Sequence, residues 1–266
     1  MNPITKFRLA LARALVPEYL RPTEEETQLI KSLLVGEVNK TRHIEDSDFF
    51  HQQAAVIQVQ LDLETWGLTP GSALRSIGAA VTMPYDVHQL GGRMFKVNVT
   101  RESCEAAGLT INPETVEWWE KQSDEAKAAA VVDALPLTDA LLQLNYWLTG
   151  LASAAEGSGY MLEFGVKVGQ NPPVHVFGNG SVMDVSIIEA ALRAVKMETV
   201  WPWWGVGDTR TVVSMGRFPG LDDRRVKRHG VHHEAGSDAL YDGSRTASVQ
   251  RAIIALAKTG IAILPE

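Results

Sequence analysis

Two carboxylates placed two residues apart could hold a divalent ion in this chain. Asp62 and Glu64 lie in the segment VIQVQLDLETWG, where apolar and polar residues alternate as they do in a half-buried strand. Side chains two positions apart on a strand point to the same face, so these two carboxylates lie about 7 Å apart along one surface. A solvated strand end explains such a pair as well, so the interpretation depends on further acids.

Two further acids project from the apolar stripes of predicted helices. Asp184 is followed by Ile187 and Ile188 at helical spacing, and Asp242 shares its side of the last helix with Val249. The positive end of a helix dipole also favours an acid at Asp184, so each acid by itself has a structural explanation. However, an unpaired carboxylate on a buried face is costly, and acids on three elements that point inward predict a shared metal site.

Composition and charge limit the classes of function. The chain has 266 residues, 45% of them hydrophobic and 21% charged, which is typical of a folded globular protein with a substantial core. The net charge of −7 argues against coating nucleic acid by bulk attraction, although bound ions would neutralise the acids of a nuclease. Cys104 is the only cysteine, which favours a reducing compartment, and we therefore expect a cytoplasmic location.

The chain divides into an extension and a domain. Residues 1–53 are polar, and their pattern predicts a helical N-terminal extension. Lys6, Arg8 and Arg13 interrupt its first apolar stretch, which favours an amphipathic helix over a signal peptide, and we expect no membrane segment. Residues 54–266 form the predicted functional domain.

Strands precede helices in this domain and later alternate with them. A meander follows the first strand, with strands at 73–81 and 92–99, and a second core strand begins at VHVFGNG. Helices are predicted at 113–122, 124–133, 136–151, 182–195 and 238–258, and a loop around a short helix at 202–220. This order predicts an α/β fold, with a mixed sheet flanked by helices.

Four segments in order resemble those of a known enzyme family. LDLETWG, GNGSVMDVSIIEAAL, DTRTV and DALYDGSRTA resemble the DEDDh 3′-5′ exonucleases, most closely their phage-type, exonuclease-VIII-like branch, and TVEWWEKQSDEAKAA is similar to that branch as well. The resemblance covers about three quarters of the chain. It implies a ribonuclease-H-like fold and hydrolysis of single-stranded DNA or RNA from the 3′ end to nucleoside 5′-monophosphates, with DNA slightly favoured over RNA.

The resemblance assigns roles to the acids. Asp62 and Glu64 become the first-motif ligands, Asp184 the second-motif acid and Asp242 the final acid. Such oxygen ligands favour two Mg²⁺ or Mn²⁺ ions, which activate water and stabilise the leaving oxygen. Asp208, in DTRTV, matches a position beside the site and is expected to be structural.

The general base is the main departure from the family pattern. The family has a histidine five residues before the final acid, and the register on Asp242 puts Ser237 there. An alternative register pairs His233 with Asp238 but abandons the DALYDGSRTA match. We prefer Asp242 as ligand, and His233, or His232 beside it, could reach the site from the loop before the helix, with His233 taken as the candidate base. If no histidine does so, the chain is a catalytically impaired nuclease fold that binds nucleic acid or a protein.

Several residues are candidate substrate contacts. A basic cluster between residues 217 and 228 contains Arg225 and Arg228, which could guide a phosphate backbone. Thr65 and Trp66 directly follow the first motif, and the Trp66 ring could stack on the terminal base for about 1–3 kcal/mol. The other tryptophans are expected to serve in packing, namely Trp118, Trp119, Trp147, Trp201, Trp203 and Trp204. A homodimer is a further expectation.

Overall fold

The computed structural model describes residues 56–83, 93–155, 174–217 and 226–258. Within them, one sheet has the order β3-β2-β1-β4-β5. Its strands are β1 (Ile57–Thr65), β2 (Leu74–Val81), β3 (Met94–Asn98), β4 (Val174–Gly178) and β5 (Val206–Asp208). The predicted helical extension of residues 1–53 lies outside the described residues.

The sheet is mixed, with β1 at its centre. β1 pairs antiparallel with β2, which pairs antiparallel with β3, and together they form the predicted meander. On its other side β1 pairs in parallel with β4, and β4 in parallel with β5. This strand order is the ribonuclease-H-like arrangement, and the predicted α/β class is confirmed.

Helices cover the sheet and form its core with it. Buried leucines of α4 and apolar residues of α5 join the inward side chains of β1 and β2 in one cluster. No helix among the described residues has the length and apolar character to cross a membrane. The helices are α1 (Arg101–Ala106), α2 (Pro113–Glu120), α3 (Asp124–Ala129), α4 (Leu137–Ala155), α5 (Ser181–Ala194), α6 (Thr209–Arg217) and α7 (Ala235–Lys258).

The last helix, α7, lies directly against β1 and β2 because two glycines remove obstructing side chains. A Cβ at Gly78 would overlap the backbone of Ala235, at the start of α7. A Cβ at Gly243 would overlap the side chain of Thr82. Since Gly78 is paired with Asp62, this close approach brings the beginning of α7 over the first acidic pair.

The structure contains two elements that the sequence did not predict, and it moves the start of the last helix. The short helix α1 was not predicted, and β5 lies within a segment predicted as a loop around a helix. Three residues with an exposed Val206 give little periodic signal, and β5 forms because the free edge of β4 offers backbone partners. Helix α7 begins at Ala235 and not at Asp238, because Glu234 accepts the backbone N–H groups of Gly236 and Ser237.

Candidate active site

The first acidic pair lies at the end of β1. Asp62 and Glu64 are paired with Gly78 and Ser76 of β2, and the β1–β2 register shifts directly after Glu64. The pKa of Asp62 is raised well above its ordinary value by desolvation, and then by the charges of Glu64, Asp184 and Asp242. Desolvation also raises the pKa of Glu64 to about 7, against the lowering effect of Arg75.

Asp184 reaches the site from the first turn of α5, and the turn between β4 and α5 positions it. Gly180 adopts a φ of 106°, a left-handed conformation that suits glycine. Asp208, at the end of β5, accepts hydrogen bonds from the backbone N–H of Gly180 at 3.1 Å and of Ser181 at 2.7 Å. Asp208 therefore caps α5, and the Ser181 side chain does not.

Asp208 caps a second helix with its other oxygen. Its Oδ1 accepts hydrogen bonds from the backbone N–H of Thr211 at 2.8 Å and from the Thr211 hydroxyl at 3.1 Å. Desolvation raises the pKa of Asp208, but these N–H groups and that of Ser181 hold it below its ordinary value. The expected structural role of Asp208 agrees with these contacts.

The charge on Asp184 is costly in this position. Desolvation is the first cause that raises its pKa to about 7; the backbone N–H of Asn179 lowers it, and the charge of Asp242 raises it again. The side chain is 6% exposed. Asp62, Glu64 and Asp184 thus all hold their protons more tightly than free carboxyl groups do, as expected where acids are placed together for a cation.

Helix α7 contributes two acids, one turn apart. The carboxylate oxygens of Asp62, Glu64 and Asp238 lie within 4.8 Å of one another. Asp238 also forms an ion pair with Arg228. In contrast, Asp242 accepts a hydrogen bond from Asn179 Nδ2 at 2.8 Å and pairs with Arg245 at 2.9 Å.

The structure therefore brings a fifth acid to the four predicted from the sequence. Asp242 is buried and acts electrostatically on both Asp62 and Asp184. Asp238 nevertheless lies with Asp62 and Glu64 as a possible ligand set, which is the arrangement of the alternative register. The earlier start of α7 moves Asp238 from the first residue of the predicted helix to the fourth residue of the observed one.

His233 lies beside Asp238. Its φ of 61° is left-handed, and its backbone N–H donates to Asp238 Oδ2 at 3.0 Å. The ring nitrogens of His232 and His233 lie within 4.8 Å of a carboxylate oxygen of Asp238. Desolvation lowers the pKa of His233, helped by His232 and Arg228, so the imidazole is neutral near pH 7 and able to accept a proton.

Ser237, the residue at the family's histidine position in the preferred register, stabilises the start of α7. Its hydroxyl donates to Glu234 Oε2 at 2.5 Å, and its backbone N–H donates to the same oxygen at 2.9 Å. Glu234 is also paired with Lys96 of β3 at 2.9 Å. The Ser237 hydroxyl is thus part of a helix cap.

The residues predicted to contact the substrate differ in where they lie relative to the acids. Arg228 lies at the acids and over the ring of Tyr241, at 4.2 Å from its centroid. The Thr65 hydroxyl donates to the carbonyl of Gly67 at 2.6 Å, and Trp66 is half-buried against the core with Arg75 at 4.7 Å from its ring centroid. Arg225 lies outside the described residues.

Three residues at the site were not singled out from the sequence. Asn179 holds Asp242, and Arg210 donates through Nε to Asn179 Oδ1 at 3.3 Å. Arg75 of β2 faces Glu64, between the rings of Trp66 and Trp119. Asn179 belongs to the GNGSVMD segment, but nothing in the sequence of β2 connects Arg75 with the acids.

The donor set suits a divalent cation. Carboxylate oxygens within 4.8 Å of one another are hard ligands of the kind that Mg²⁺ and Mn²⁺ prefer. A bound cation would also relieve the repulsion that raises the pKa values of Asp62 and Asp184. The residues present therefore fit divalent ions at this position.

Comparison with protein families gives one match over most of the chain. Residues 57–249 match the model of the 3′-5′ exoribonuclease Rv2179c-like domain. Among curated proteins, none matches the chain. The matched range contains all five acids and His233.

Two solved structures resemble the chain at low identity. The nuclease domain of 3′hExo, a DEDDh family member bound to rAMP, is 12% identical with a TM-score of 0.42, and the match covers 75% of this chain and 92% of that one. S. pombe Pop2p in its Mg²⁺- and Mn²⁺-bound form is 14% identical with a TM-score of 0.38, with 84% and 89% covered. Both are distant likenesses.

Proposed function

The chain belongs to the family of Rv2179c-like 3′-5′ exoribonuclease domains, and from this premise we propose that it shortens single-stranded RNA from the 3′ end with divalent ions at its acidic site. It is a 3′-5′ exonuclease, a hydrolase that acts on phosphodiester bonds. The observation that carries the proposal is the grouping of Asp62, Glu64 and Asp238 beside a neutral His233. The products are nucleoside 5′-monophosphates.

In this proposal, the five acids together bind two Mg²⁺ or Mn²⁺ ions. Asp62, Glu64 and Asp238 hold ions at the end of β1, and Asp184 completes the site from α5. Asp242, the final acid in the motif register, completes it on the side of Asp184, where Asn179 orients its carboxylate. When bound, the ions lower the pKa of water and stabilise the leaving 3′ oxygen.

His233 acts as the general base. A neutral ring nitrogen accepts a proton from the attacking water as the water oxygen forms a bond to phosphorus. The bond from phosphorus to the 3′ oxygen breaks, the leaving oxygen takes a proton from solvent and becomes the 3′-hydroxyl of the shortened strand, and the histidine then returns its own proton to solvent. Burial and the nearby positive charges keep the imidazole neutral, which supports this role. Ser237 cannot act as the general base. Its hydroxyl donates a hydrogen bond to Glu234, and an aliphatic hydroxyl does not take up a proton near neutral pH.

Basic and aromatic residues hold the strand. Arg228, already beside the acids, contacts the phosphate backbone, and so does Arg225, three residues earlier in the sequence. Trp66 and the backbone near Thr65 contact the terminal nucleotide. Arg228 also neutralises part of the acidic charge, since it lowers the pKa of Asp62 against the larger effect of desolvation.

The sequence resemblance and the family match favour different substrates, DNA and RNA respectively. The sequence resemblance to the phage-type, exonuclease-VIII-like branch favours DNA slightly. The matched family is described by an exoribonuclease activity, which favours RNA. We adopt RNA, and paired substrates of the same base sequence provide the test.

A labelled-oligonucleotide assay tests the proposed activity. Single-stranded RNA and DNA of identical sequence are incubated with Mg²⁺ or Mn²⁺, and we expect stepwise shortening from the 3′ end, faster for RNA. A chelator and Asp62→Ala should both abolish it. Binding that persists without shortening, under either ion, would instead identify an impaired nuclease fold that acts as a binding module.

Assembly and location stay predictions. A homodimer is tested by sedimentation velocity of the full chain, where a monomeric mass at assay concentration contradicts it. A cytoplasmic location is tested by fractionation of cells that produce the tagged protein.

A further inference from the structure

Arg210 lies beside the acidic site without a carboxylate partner. It belongs to the DTRTV segment, in the first turn of α6, and its side chain is exposed. Arg228 and Arg245 are each paired with an acid of α7. In contrast, no acid among the described residues forms an ion pair with Arg210. Its charge is therefore available to a ligand.

The Arg210 side chain lies across the turn between β4 and α5. Its Nε donates to Asn179 Oδ1 at 3.3 Å, and a Cβ placed on Gly180 would be 3.3 Å from both Cζ and Nη1. Within the part of the chain that the structure describes, Nη1 and Nη2 form no hydrogen bond. One face of the guanidinium thus packs on the turn, which leaves the terminal N–H groups for an outside acceptor.

Asn179 connects Arg210 with the acids. The amide that accepts from Arg210 donates through Nδ2 to Asp242 Oδ2 at 2.8 Å. Desolvation, the largest cause, raises the pKa of Asp184, and the Arg210 charge counteracts it. Arg210 thus lies close to both acids, with the Asn179 amide between its guanidinium and Asp242.

We propose that Arg210 binds the phosphate that precedes the scissile one on the 5′ side of the substrate strand, an inference that rests on the proposed nuclease function. A guanidinium suits phosphate because its parallel N–H groups donate to two oxygens at once. Ions at the carboxylates would take the scissile phosphate, and Asn179 separates Arg210 from Asp242. A strand cut at its last linkage has further phosphates only on its 5′ side, so Arg210 meets the next one.

The chain offers a matched control in Arg193. Its side chain is 66% exposed and is paired with Glu189 of the same helix at 3.7 Å. It lies in the last turn of α5, whereas Asp184 lies in the first. Arg193→Ala therefore removes the same charge from a position remote from the acids. Arg210→Lys keeps the charge of Arg210 but not its planar fork.

The number of phosphates in the substrate tests the assignment. A dinucleotide with a 5′-hydroxyl contains only the scissile phosphate, and a trinucleotide contains one more. We expect Arg210→Ala to lower kcat/KM about tenfold for the RNA trinucleotide, mostly through KM, and to leave the dinucleotide unchanged. Arg210→Lys should recover part of the loss, and Arg193→Ala should match wild type with both substrates. An equal loss with both substrates overturns the inference.

The salt dependence of strand binding gives a readout without cleavage. With RNA that has hydrolysis-resistant phosphorothioate linkages, each phosphate contact steepens the fall of log affinity with log salt concentration by about 0.7. Arg210→Ala should make this slope shallower by about 0.7, with Mn²⁺ binding unchanged in calorimetry. An unchanged slope overturns the inference, and weaker Mn²⁺ binding would then assign Arg210 a structural role through Asn179.

The same measurements separate this inference from the proposed nuclease function. A shallower slope for Arg210→Ala, in a protein that cleaves no RNA, would contradict the nuclease proposal and leave the phosphate contact in place. Cleavage by the wild type with no change in Arg210→Ala would do the reverse. Circular dichroism confirms that each variant is folded.

Discussion

Helices α5 and α7 both bring an acid to the site from their first turns, but they are held in different ways. At α5 the turn from β4 is tight, and Asp208 of β5 binds the helix N-terminus directly. At α7 the cap is Glu234, from the loop before the helix, and the acid is paired with Arg228 of the same loop. The sheet therefore holds the α5 acid, whereas an ion pair and a backbone N–H from the preceding loop contact the α7 acid.

The two acids therefore differ in how much of their support comes from the sheet. Asp184 keeps its place because both of its anchors, β4 and β5, are strands of the sheet. In the proposed mechanism, a bound cation would compete with Arg228 for the Asp238 carboxylate.

The largest effect is expected at the α7 acids. Asp238→Asn should reduce kcat at least about 10³-fold, because it removes a ligand from the Asp62 and Glu64 group. Asp242→Asn keeps the hydrogen-bonding shape toward Asn179 and should reduce kcat less. The measurement is single-turnover cleavage of RNA by both variants. A greater loss with Asp242→Asn would make Asp242 the final ligand, as in the motif register.

His233→Ala should slow cleavage roughly 10²–10⁴-fold, the range for a lost general base. Binding of Mn²⁺, measured by calorimetry, should be unchanged, because the acids stay in place. His232→Ala serves as the matched control, since His232 is the exposed neighbour in the same loop. An unchanged rate in His233→Ala would remove this residue from the mechanism.

The two helix caps differ in their contribution to stability. Asp208→Ala removes the cap of α5 and that of α6, and should lower the free energy of unfolding by about 2 kcal/mol. Glu234→Ala removes one helix cap, that of α7, together with the partly exposed ion pair to Lys96, and should cost about 1 kcal/mol. Urea denaturation with both variants measures the difference. Equal losses would contradict the view that the sheet side is the more firmly held.

The smallest effect concerns charge repulsion inside the site. Asp184→Asn should raise the free energy of unfolding in chelator by about 1–3 kcal/mol, since it removes a buried charge that desolvation and Asp242 disfavour. The gain should shrink or reverse with Mn²⁺, which stabilises only the intact site. Thermal unfolding of both proteins, with chelator and with Mn²⁺, tests this. A loss of stability in chelator would show that the Asp184 carboxylate is needed for folding.

Much of the fold was predictable because its signals are local. The alternation around Asp62 identified β1, and the leucine stripe of α4 predicted a buried face that the structure confirms. β5 was not predictable in this way, because Val206–Asp208 becomes a strand only through pairing with β4. The same limit applies to Trp118, predicted to serve in packing but 42% exposed, because its exposure depends on how α2 meets β1.

The sequence by itself determined the ordered set of acids and the two periodicities that aim them inward, since both are properties of neighbouring residues. Only the tertiary structure decided which acid of α7 lies with Asp62 and Glu64. That choice depends on where α7 begins and on the close approach at Gly78, both set by contacts between residues distant in the chain. Backbone packing, rather than spacing along the helix, therefore distinguishes Asp238 from Asp242.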